Sequence, residues 1–278
     1  MFPSAHIGDP STDRIDSMDA TDVTAASRRA GDHPALETAA RVGYAVNGVL
    51  HIVIGIIALQ LAFGSKGKSA DQSGALGSMA DNGFGLFMLW VAVVAWLGLA
   101  LWQVTEAISG GWDTSDRAKA AAKAVVYLAL SWTAFKFASG KGTSSKSQTT
   151  DFTASLMKQP AGQWLVALVG LAVIGVGVYH VVKGWKKKFL QDLETHPGQW
   201  IVKAGRVGYI AKGIALAIVG GLFVLAAVRH KPSEARGLDG ALRNLLGAPG
   251  GPVLLALVAL GLVAFGVYCF GRARHADV

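Results

Sequence analysis

Two apolar segments of the sequence begin alike, one with ARVGYAVNG (residues 40–48) and a later one with GRVGYIAKG (residues 205–213). A match of this length does not follow from composition alone, and it indicates an internal repeat in which each copy is one supersecondary unit. A third copy begins at Arg117, where the leading arginine and the polar seventh position, Lys123, are retained but the tyrosine and the glycines are not. The sequence therefore predicts three related units.

The composition places these units in a membrane. Of the 278 residues, 52% are hydrophobic and only 16% are charged, which is a low charged fraction for a soluble domain. A bilayer core of about 30 Å needs about 20 predominantly apolar helical residues. Six windows of that length occur, at 42–63, 85–108, 118–138, 162–182, 207–228 and 252–270. The third is the weakest because Lys123 and Lys136 interrupt it, although both side chains are long enough to reach opposite membrane surfaces.

Each predicted unit contains two spans, so all three units enter the bilayer the same way up. We predict an all-α polytopic bundle of six transmembrane helices, built from three parallel two-helix repeats around a pseudo-threefold axis. The units comprise residues 40–112, 113–190 and 191–278, and residues 1–39, rich in aspartate, form a disordered cytoplasmic tail. Lysine and arginine number 15 on the side of both termini against 10 on the other side, which predicts a multi-pass plasma-membrane protein with both termini cytoplasmic.

Several classes of function lack their sequence signals. Cys269 is the single cysteine, which excludes an intramolecular disulfide framework, a cysteine-rich zinc site and a cysteine-ligated iron–sulfur cluster. The chain contains no P-loop, dinucleotide fingerprint or HExxH motif, so we expect no enzyme and no cofactor. The net charge of +8 is spread along the loops, which favours anionic lipid on the cytoplasmic side over nucleic acid as a partner.

Short motifs recur at matching places in the units: ADQSGAL (70–76), LW (101–102), GVYH (177–180), GLDGAL (237–242) and GVYCF (266–270). Together with the opening at 40–44, they resemble a family of actinobacterial integral membrane proteins, the domain of unknown function 1206 (DUF1206). The resemblance implies three tandem copies of a two-helix unit, six membrane helices and an actinobacterial plasma membrane, and it implies no activity. The middle unit departs most from the pattern, with Ala120 where the others have Tyr44 and Tyr209.

The polar seventh position of each unit is Asn47, Lys123 or Lys212. A threefold bundle places these side chains at one depth, about 9 Å from the helix start. Membrane-embedded charge normally faces the bundle interior or water, so an axial ring of these groups would bind an anionic headgroup or line a solute path. The alternative is that both lysines extend to the cytoplasmic headgroups while Asn47 bonds a neighbouring helix.

Two further sets of polar residues lie within the spans. His51 is predicted near mid-bilayer and His180 near the cytoplasmic end of its span, a difference in depth that suits a shared haem poorly, so we interpret both as buried, hydrogen-bonded histidines. Glu106, Lys183 and Arg272 occupy equivalent positions at the cytoplasmic ends of the even spans. One acid with two bases predicts an ion pair between repeats.

Three acids, Asp71, Asp151 and Asp239, lie in the extracytoplasmic loops ahead of the even spans. Aspartate just before a helical pattern is typical of an N-cap, so each predicts a short interfacial helix. The alternative is a ring of acids that attracts cations at a pore mouth. Glycines within the spans, such as Gly48 and Gly266, indicate close helix packing, because lipid offers no hydrophobic drive between helices.

These patterns favour a non-enzymatic accessory membrane protein that binds a lipid or a membrane protein partner. The evidence is the combination of tight-packing signals with the lack of a catalytic constellation. The alternative is a small-solute or ion transporter or channel, with a path along the pseudo-threefold axis past Asn47, Lys123 and Lys212. A haem-binding redox protein is a third class, which the colour of a purified sample would test.

Overall fold

The computed structural model describes residues 34–65, 67–81, 83–109, 114–142 and 144–275. Within these ranges the chain is helical and contains no β-strand. The α-helices are α1 Pro34–Ala62, α2 Gln72–Ala80, α3 Gly83–Ser109, α4 Thr114–Ala138, α5 Ser145–Met157, α6 Gly162–Trp185, α7 Gln199–Arg229, α8 Leu238–Leu246 and α9 Gly251–His275. Two 3₁₀ turns occupy Lys188–Asp192 and Pro232–Glu234. The predicted disordered tail lies outside the described residues up to position 33, and α1 begins at Pro34.

Five helices are long and apolar enough to cross a membrane: Ala40–Ala62, Gly83–Ile108, Gly162–Trp185, Gln199–Arg229 and Gly251–His275. Large apolar side chains remain on their outer surfaces, for example Leu101, Leu168 and Leu257, and such a surface is stable against lipid but not against water. The chain is therefore a multi-pass, membrane-type helical protein. The sixth predicted span corresponds to α4, which is 25 residues long but carries several lysines.

The most extensive packing joins successive repeats. The second long helix of each repeat lies against the first helix of the next, as α3 on α4 and α6 on α7, and α9 returns to α1. The leading arginine of each repeat contacts the end of the preceding helix: Arg41 donates to the Arg274 carbonyl (2.8 Å) and Arg117 to the Ala107 carbonyl (3.0 Å). The ends of α1 and α9 consequently lie at the same end of the bundle.

Small residues set the same register in these pairs of helices. A Cβ at Gly213 would lie 2.5 Å from the Gly177 carbonyl oxygen, and one at Gly266 would lie 2.6 Å from that of Gly48. The third pair has no glycine at these levels. There Ser131, at the position of Gly55 in the first repeat, donates to the Val93 carbonyl (2.9 Å). Small residues thus allow the close backbone approach that holds helices together in lipid.

Packing within the repeats is unequal. Helix α1 packs on α3, and α7 packs on α9, but α4 and α6 make at most a marginal contact. The close pairs have glycine where they approach: a Cβ at Gly208 would lie 2.5 Å from the Phe265 backbone, and one at Gly43 would overlap Leu99. The second repeat has Lys119 at this position. The second hairpin is therefore open.

A short helix precedes the second long helix of each repeat: α2, α5 and α8. The chain then turns so tightly that a Cβ at Gly85, Gly162 or Gly251 would overlap the carbonyl oxygen of the residue five or six positions earlier. Only glycine fits such an approach of backbone to backbone. These turns form the end of the bundle opposite the chain termini, and they explain the glycine that opens each even span.

Candidate functional site

Four basic side chains from the second and third repeats lie toward the terminal end of the bundle. We call Lys123, Lys183, Lys212 and Arg272 the cationic cluster. Lys123, on α4, lies within electrostatic range of Arg272 and Lys183 and of the carboxylates of Asp192 and Glu106. Lys212, on α7, lies within electrostatic range of Arg272. The fold thus brings together residues from the predicted axial ring and from the predicted charge positions.

Asp192, in the first 3₁₀ turn, is the carboxylate that pairs with this cluster. Its Oδ2 lies 2.7 Å from the Lys183 Nζ and 3.8 Å from the Arg272 Nη1. The ion pair that we expected from Glu106 with either base is not formed among the described residues. Asp192 lies in the loop between α6 and α7, outside the segments that the repeats share, so comparison of the repeats does not find it.

Arg272 has fewer partners than its guanidinium can bond. A guanidinium carries five N–H donors in a planar fork. Nη2 reaches the Tyr44 hydroxyl at 3.4 Å, and the group lies 4.4 Å from the centre of the Tyr44 ring. The Nε atom is buried and has no hydrogen-bond partner in the described part of the chain. The fork therefore has one buried donor whose hydrogen bond is not made, which is costly for a charged group.

Lys212 lies inside the bundle. Its Nζ sits 4.2 Å from the centre of the Phe265 ring on α9, a cation–π contact that holds a desolvated ammonium group. No carboxylate of the described residues lies within 4.0 Å of it. Phe265, Cys269 and Arg272 are three or four residues apart and share one face of α9, which Lys212 faces.

The other members of the predicted axial ring lie in different surroundings. Lys123 is exposed because α6 does not cover the adjoining face of α4. Asn47 is partly buried, and its carbonyl accepts a hydrogen bond from the His51 Nδ1 at 2.8 Å. The described contacts include none between the Asn47 side chain and Lys123 or Lys212.

An aromatic cluster packs against the terminal ends of α7 and α9, next to the cationic cluster. Phe189, in the first 3₁₀ turn, is fully buried. Its ring stacks on Tyr209 at 5.4 Å between centres and meets Tyr268 edge-on at 5.2 Å. The Tyr268 hydroxyl donates to the Phe189 carbonyl at 3.3 Å. The loop after α6 thus folds back beneath α7 and α9.

The two histidines are satisfied within their own helices. The His51 Nδ1 donates to the Asn47 carbonyl, and the ring lies 4.7 Å from that of Phe265. The His180 Nδ1 donates to the Val176 carbonyl at 2.8 Å, and its ring stacks on Tyr209. Among the described residues, no group of three or more histidine, cysteine, aspartate or glutamate side chains is placed to hold a metal ion.

Two of the loop acids, Asp71 and Asp239, lie in adjoining segments of the first and third repeats. Asp71 caps α2 by accepting from the Gly74 backbone at 3.0 Å. Asp239 lies in the first turn of α8, where it accepts from the Ala70 backbone at 2.8 Å and pairs with Arg243 at 2.8 Å. These two carboxylates therefore fasten the short helices of the first and third repeats.

Asp151 differs from the other two acids because it lies within α5 and is exposed. It therefore has neither the capping role of Asp71 nor the cross-repeat bond of Asp239. A separate, aliphatic groove lies between α6 and α7, lined by Val178, Val182, Ile214 and neighbouring residues. It offers an anion no charged partner.

The open hairpin leaves a gap beside the cationic cluster, which we call the lateral slot. It lies between the face of α4 at Val126 and the face of α6 at Val176 and Tyr179. Val176 is 48% exposed, whereas Phe265 at the matching position of α9 is 5% exposed. Tyr179 is 57% exposed, whereas its counterpart in α9 is fully buried. The two faces that would close this hairpin are therefore apolar and exposed, and Lys123 lies one turn before Val126 on α4.

Comparison with known proteins agrees with the repeat structure. The model of the Domain of Unknown Function (DUF1206) matches residues 42–110, 118–187 and 207–276, which confirms the three predicted tandem copies. The chain is 31% identical over 254 residues to an uncharacterized protein, YxxB, of Bacillus subtilis (strain 168), a similarity that covers 87% of this chain and 92% of that protein. No solved structure matches the chain significantly. Because a relative occurs in Bacillus, the likeness does not by itself assign the chain to an actinobacterial membrane.

Proposed function

Because this chain belongs to the DUF1206 family, whose name assigns no activity, we propose a function from its own geometry. We propose that it is a non-enzymatic plasma-membrane protein that binds an anionic lipid. The acyl chains lie in the lateral slot, and the headgroup lies at the cationic cluster. One observation carries the proposal: the hairpin that fails to close lies beside a cluster in which Lys123 and Lys212 have no carboxylate within 4.0 Å among the described residues.

The lateral slot suits acyl chains because of where it lies and what lines it. Val126 on α4 and Val176 on α6 are both about half exposed, at the depth of the apolar spans. Exposed aliphatic side chains at that depth are solvated by lipid. Lys123, one turn before Val126 on the same helix, supplies a positive charge beside these side chains. A lipid in the lateral slot would contact the valines with its acyl chains and Lys123 with its headgroup.

Support for α4 as a sixth span comes from its pairing with α3. The helices run antiparallel between the bonds of Arg117 to Ala107 and of Ser131 to Val93, a length of 14 residues or about 21 Å. Apolar side chains such as that of Val125 remain exposed on the outside of α4. A helix that accompanies a membrane span over this depth crosses most of the bilayer core with it.

A pseudo-threefold ring is supported by the shared register of the inter-repeat pairs and by the return of α9 to α1. Cytoplasmic termini are supported by the residues at the terminal end of the bundle. Trp200 and Trp185 are largely exposed there, and they carry Lys203 and Arg206 over their rings at 5.3 and 5.2 Å. Aromatic and basic residues together are typical of the interface with an anionic cytoplasmic leaflet.

The alternative, a path along the axis, is tested at the aromatic cluster at the terminal end of the third repeat. Phe189 fills the space beside Tyr209 and Tyr268, and Asp192 fastens its loop to α6 and α9. The transporter hypothesis would regain support if Phe189→Ala protein, reconstituted in liposomes, passed small anions that the unaltered protein retains.

The test is whether lipid stays bound when the slot is filled. The full chain and a Val176→Trp variant are purified in mild detergent, and retained lipids are identified by native mass spectrometry. We expect the unaltered protein to keep anionic lipid and the variant to lose it. Leu171→Trp is the matched control, because Leu171 is also exposed on α6 but lies five residues away, on a different face.

Two outcomes would contradict the lipid-binding proposal. One is that the unaltered protein retains no lipid. The other is that Val176→Trp and Leu171→Trp retain equal amounts. Size-exclusion chromatography of both variants checks that each remains folded, so that loss of lipid in one is read against a properly assembled protein.

A further inference from the structure

The cationic cluster is short of negative charge. It contains four basic groups, and the carboxylates that act on them within the described chain are those of Asp192 and Glu106. Lys212 and Lys123 have no carboxylate within 4.0 Å among these residues. Charge held away from water is costly without a partner, so a ligand that brings negative charge would stabilise Lys212 and Arg272, with exposed Lys123 at its side.

We infer that the headgroup bound by the cationic cluster is a phosphate monoester, which is dianionic near neutral pH. The inference rests on the lipid-binding function proposed above and names the class of lipid. A monoester carries a charge of about −1.5 to −2 at pH 7 and three strong acceptor oxygens, whereas a phosphodiester carries one charge and has two unesterified oxygens.

The donors present match these oxygens. The Nε of Arg272 has no partner, and its neighbouring Nη2 makes only a long bond to the Tyr44 hydroxyl. A guanidinium edge made of Nε and Nη2 binds phosphate through two parallel hydrogen bonds once a ligand reaches it, here by displacing the long Nη2 bond to Tyr44. Arg272 is also fixed in place, because its group rests on the Tyr44 ring and touches Asp192 at 3.8 Å.

Lys212, on α7, supplies a second positive charge besides that of Arg272. Its Nζ rests over the Phe265 ring, and Phe265 and Arg272 are seven residues apart on α9, a rise of about 10 Å. A lysine side chain is long enough to turn its ammonium group down this face toward the arginine. Lys123 approaches from α4, on the side of the lateral slot. A phosphate at Arg272 would therefore meet positive charge from three helices.

The experiment compares lipids that share acyl chains and differ in the headgroup. Purified, delipidated protein is mixed with nanodisc or detergent-solubilised dioleoyl phosphatidate, phosphatidylglycerol or phosphatidylcholine, and bound lipid is counted by native mass spectrometry. We expect phosphatidate to be preferred over phosphatidylglycerol by about tenfold, the difference that one additional charge-assisted contact makes. We expect phosphatidylcholine to bind least. Inorganic phosphate is added as a competitor to separate recognition of the lipid from recognition of free phosphate.

Two variants locate the site. Lys212→Met keeps the length and the apolar stem of the side chain without its charge, and Arg272→Gln removes the guanidinium fork. Each should bring the affinity for phosphatidate down to that for phosphatidylglycerol. Lys203→Gln is the matched control, because Lys203 lies over Trp200 at the terminal end of α7, outside the cluster. It should leave the preference unchanged.

The protonation of the ligand gives an independent readout. The second pKa of a phosphate monoester is near 6, so lowering the pH from 8 to 5 removes one negative charge from phosphatidate but none from phosphatidylglycerol. We expect the preference to fall toward unity over this range. A merely structural role of Lys212 or Arg272 would not produce this change.

The outcomes separate this inference from the proposed function. Equal binding of phosphatidate and phosphatidylglycerol would overturn the inference and leave lipid binding intact, as would an undiminished preference in Lys212→Met. Binding of none of the lipids would overturn both. Displacement of phosphatidate by millimolar inorganic phosphate would show that the phosphate group alone is recognised and would overturn the choice of a lipid as its carrier.

Discussion

The hairpins of the first and third repeats are closed, whereas the hairpin of the second is open. The closed pairs have Gly43 and Gly208 where the helices meet, and the open pair has Lys119. Phe265 is buried in the third repeat, while its counterpart Val176 is half exposed in the second. Three copies of one pattern therefore do not produce three identical contacts. A single small residue at the crossing point decides whether two apolar helices meet, since lipid solvates an unpaired helix equally well.

Gly208→Val should produce the largest effect, because it places a large side chain where α7 and α9 meet, as Lys119 does in the second hairpin. The Cβ alone would lie 2.5 Å from the Phe265 backbone, which cannot move aside as a side chain can. We expect loss of the monodisperse folded protein in size-exclusion chromatography. Gly221→Val is the control within the same helix, since a Cβ there meets nothing within 4 Å. Normal elution of Gly208→Val would show that glycine does not determine closure.

Phe265→Ala should produce the second largest effect. The ring contacts His51, Tyr209 and Lys212 in the closed part of the bundle, and removal of a buried phenylalanine side chain costs about 3–5 kcal/mol. The measurement is the free energy of unfolding in mixed detergent micelles. Val176→Ala, at the matching open position, should change it by less than about 0.5 kcal/mol. Equal effects of the two substitutions would show that α4 and α6 are in contact.

Asp192→Asn tests whether the ion pairs of Asp192 fix the position of α6, which does not pack on its hairpin partner α4. The substitution weakens the bonds to Lys183 and Arg272 and leaves both cations short of a partner, so we expect a loss of about 1–3 kcal/mol. Asp81→Asn breaks the exposed pair with Lys68 and should cost no more than about 1 kcal/mol. If the two variants unfold alike, the loop after α6 does not fasten that helix.

Ser131→Ala should have the smallest effect. Ser131 provides the hydrogen bond between α3 and α4 at a level where the other inter-repeat pairs use glycine. Hydrogen bonds between membrane helices average about 0.6 kcal/mol in double-mutant cycles, and we expect a loss of that size. Thr133→Ala is a suitable control, because its hydroxyl bonds only within its own helix. A loss above 2 kcal/mol would mean that this bond, not small-residue packing, holds the pair.

Most of the architecture follows from patterns that the sequence displays. Apolar windows of about 20 residues predict the long helices, and the repeated openings at residues 40–48 and 205–213 predict the units that the family comparison confirms. Asp71 is recognisable as a helix cap, because an aspartate followed by small residues and an apolar run is a local signal. These features depend on residues close together in the chain, which is why they can be predicted.

The site depends on contacts that no local pattern encodes. Lys212 and Arg272 stand out in the sequence as charges within or beside apolar spans, and the fold places them on facing helices. Asp192 and Phe189 do not stand out, because they lie in a loop that has no equivalent in the other repeats. Glu106 was the expected partner because it shares a repeat position with the bases. The distance from Glu106 to these bases depends on the separation of α4 and α6 in the open hairpin, which sequence spacing does not specify.

The return of α9 to α1 sets the order in which the protein is completed during synthesis. The first long helix to leave the ribosome has, as its most extensive neighbour, the last one to be made. Until residue 251 and beyond have been translated and inserted, the glycine face of α1 at Gly48 and Gly55 is covered only by lipid. In a chain terminated shortly before α9, the N-terminal helix α1 would therefore lack that neighbour. Quality-control proteases that extract loosely packed membrane segments would then act on α1, at the opposite end of the polypeptide from the truncation.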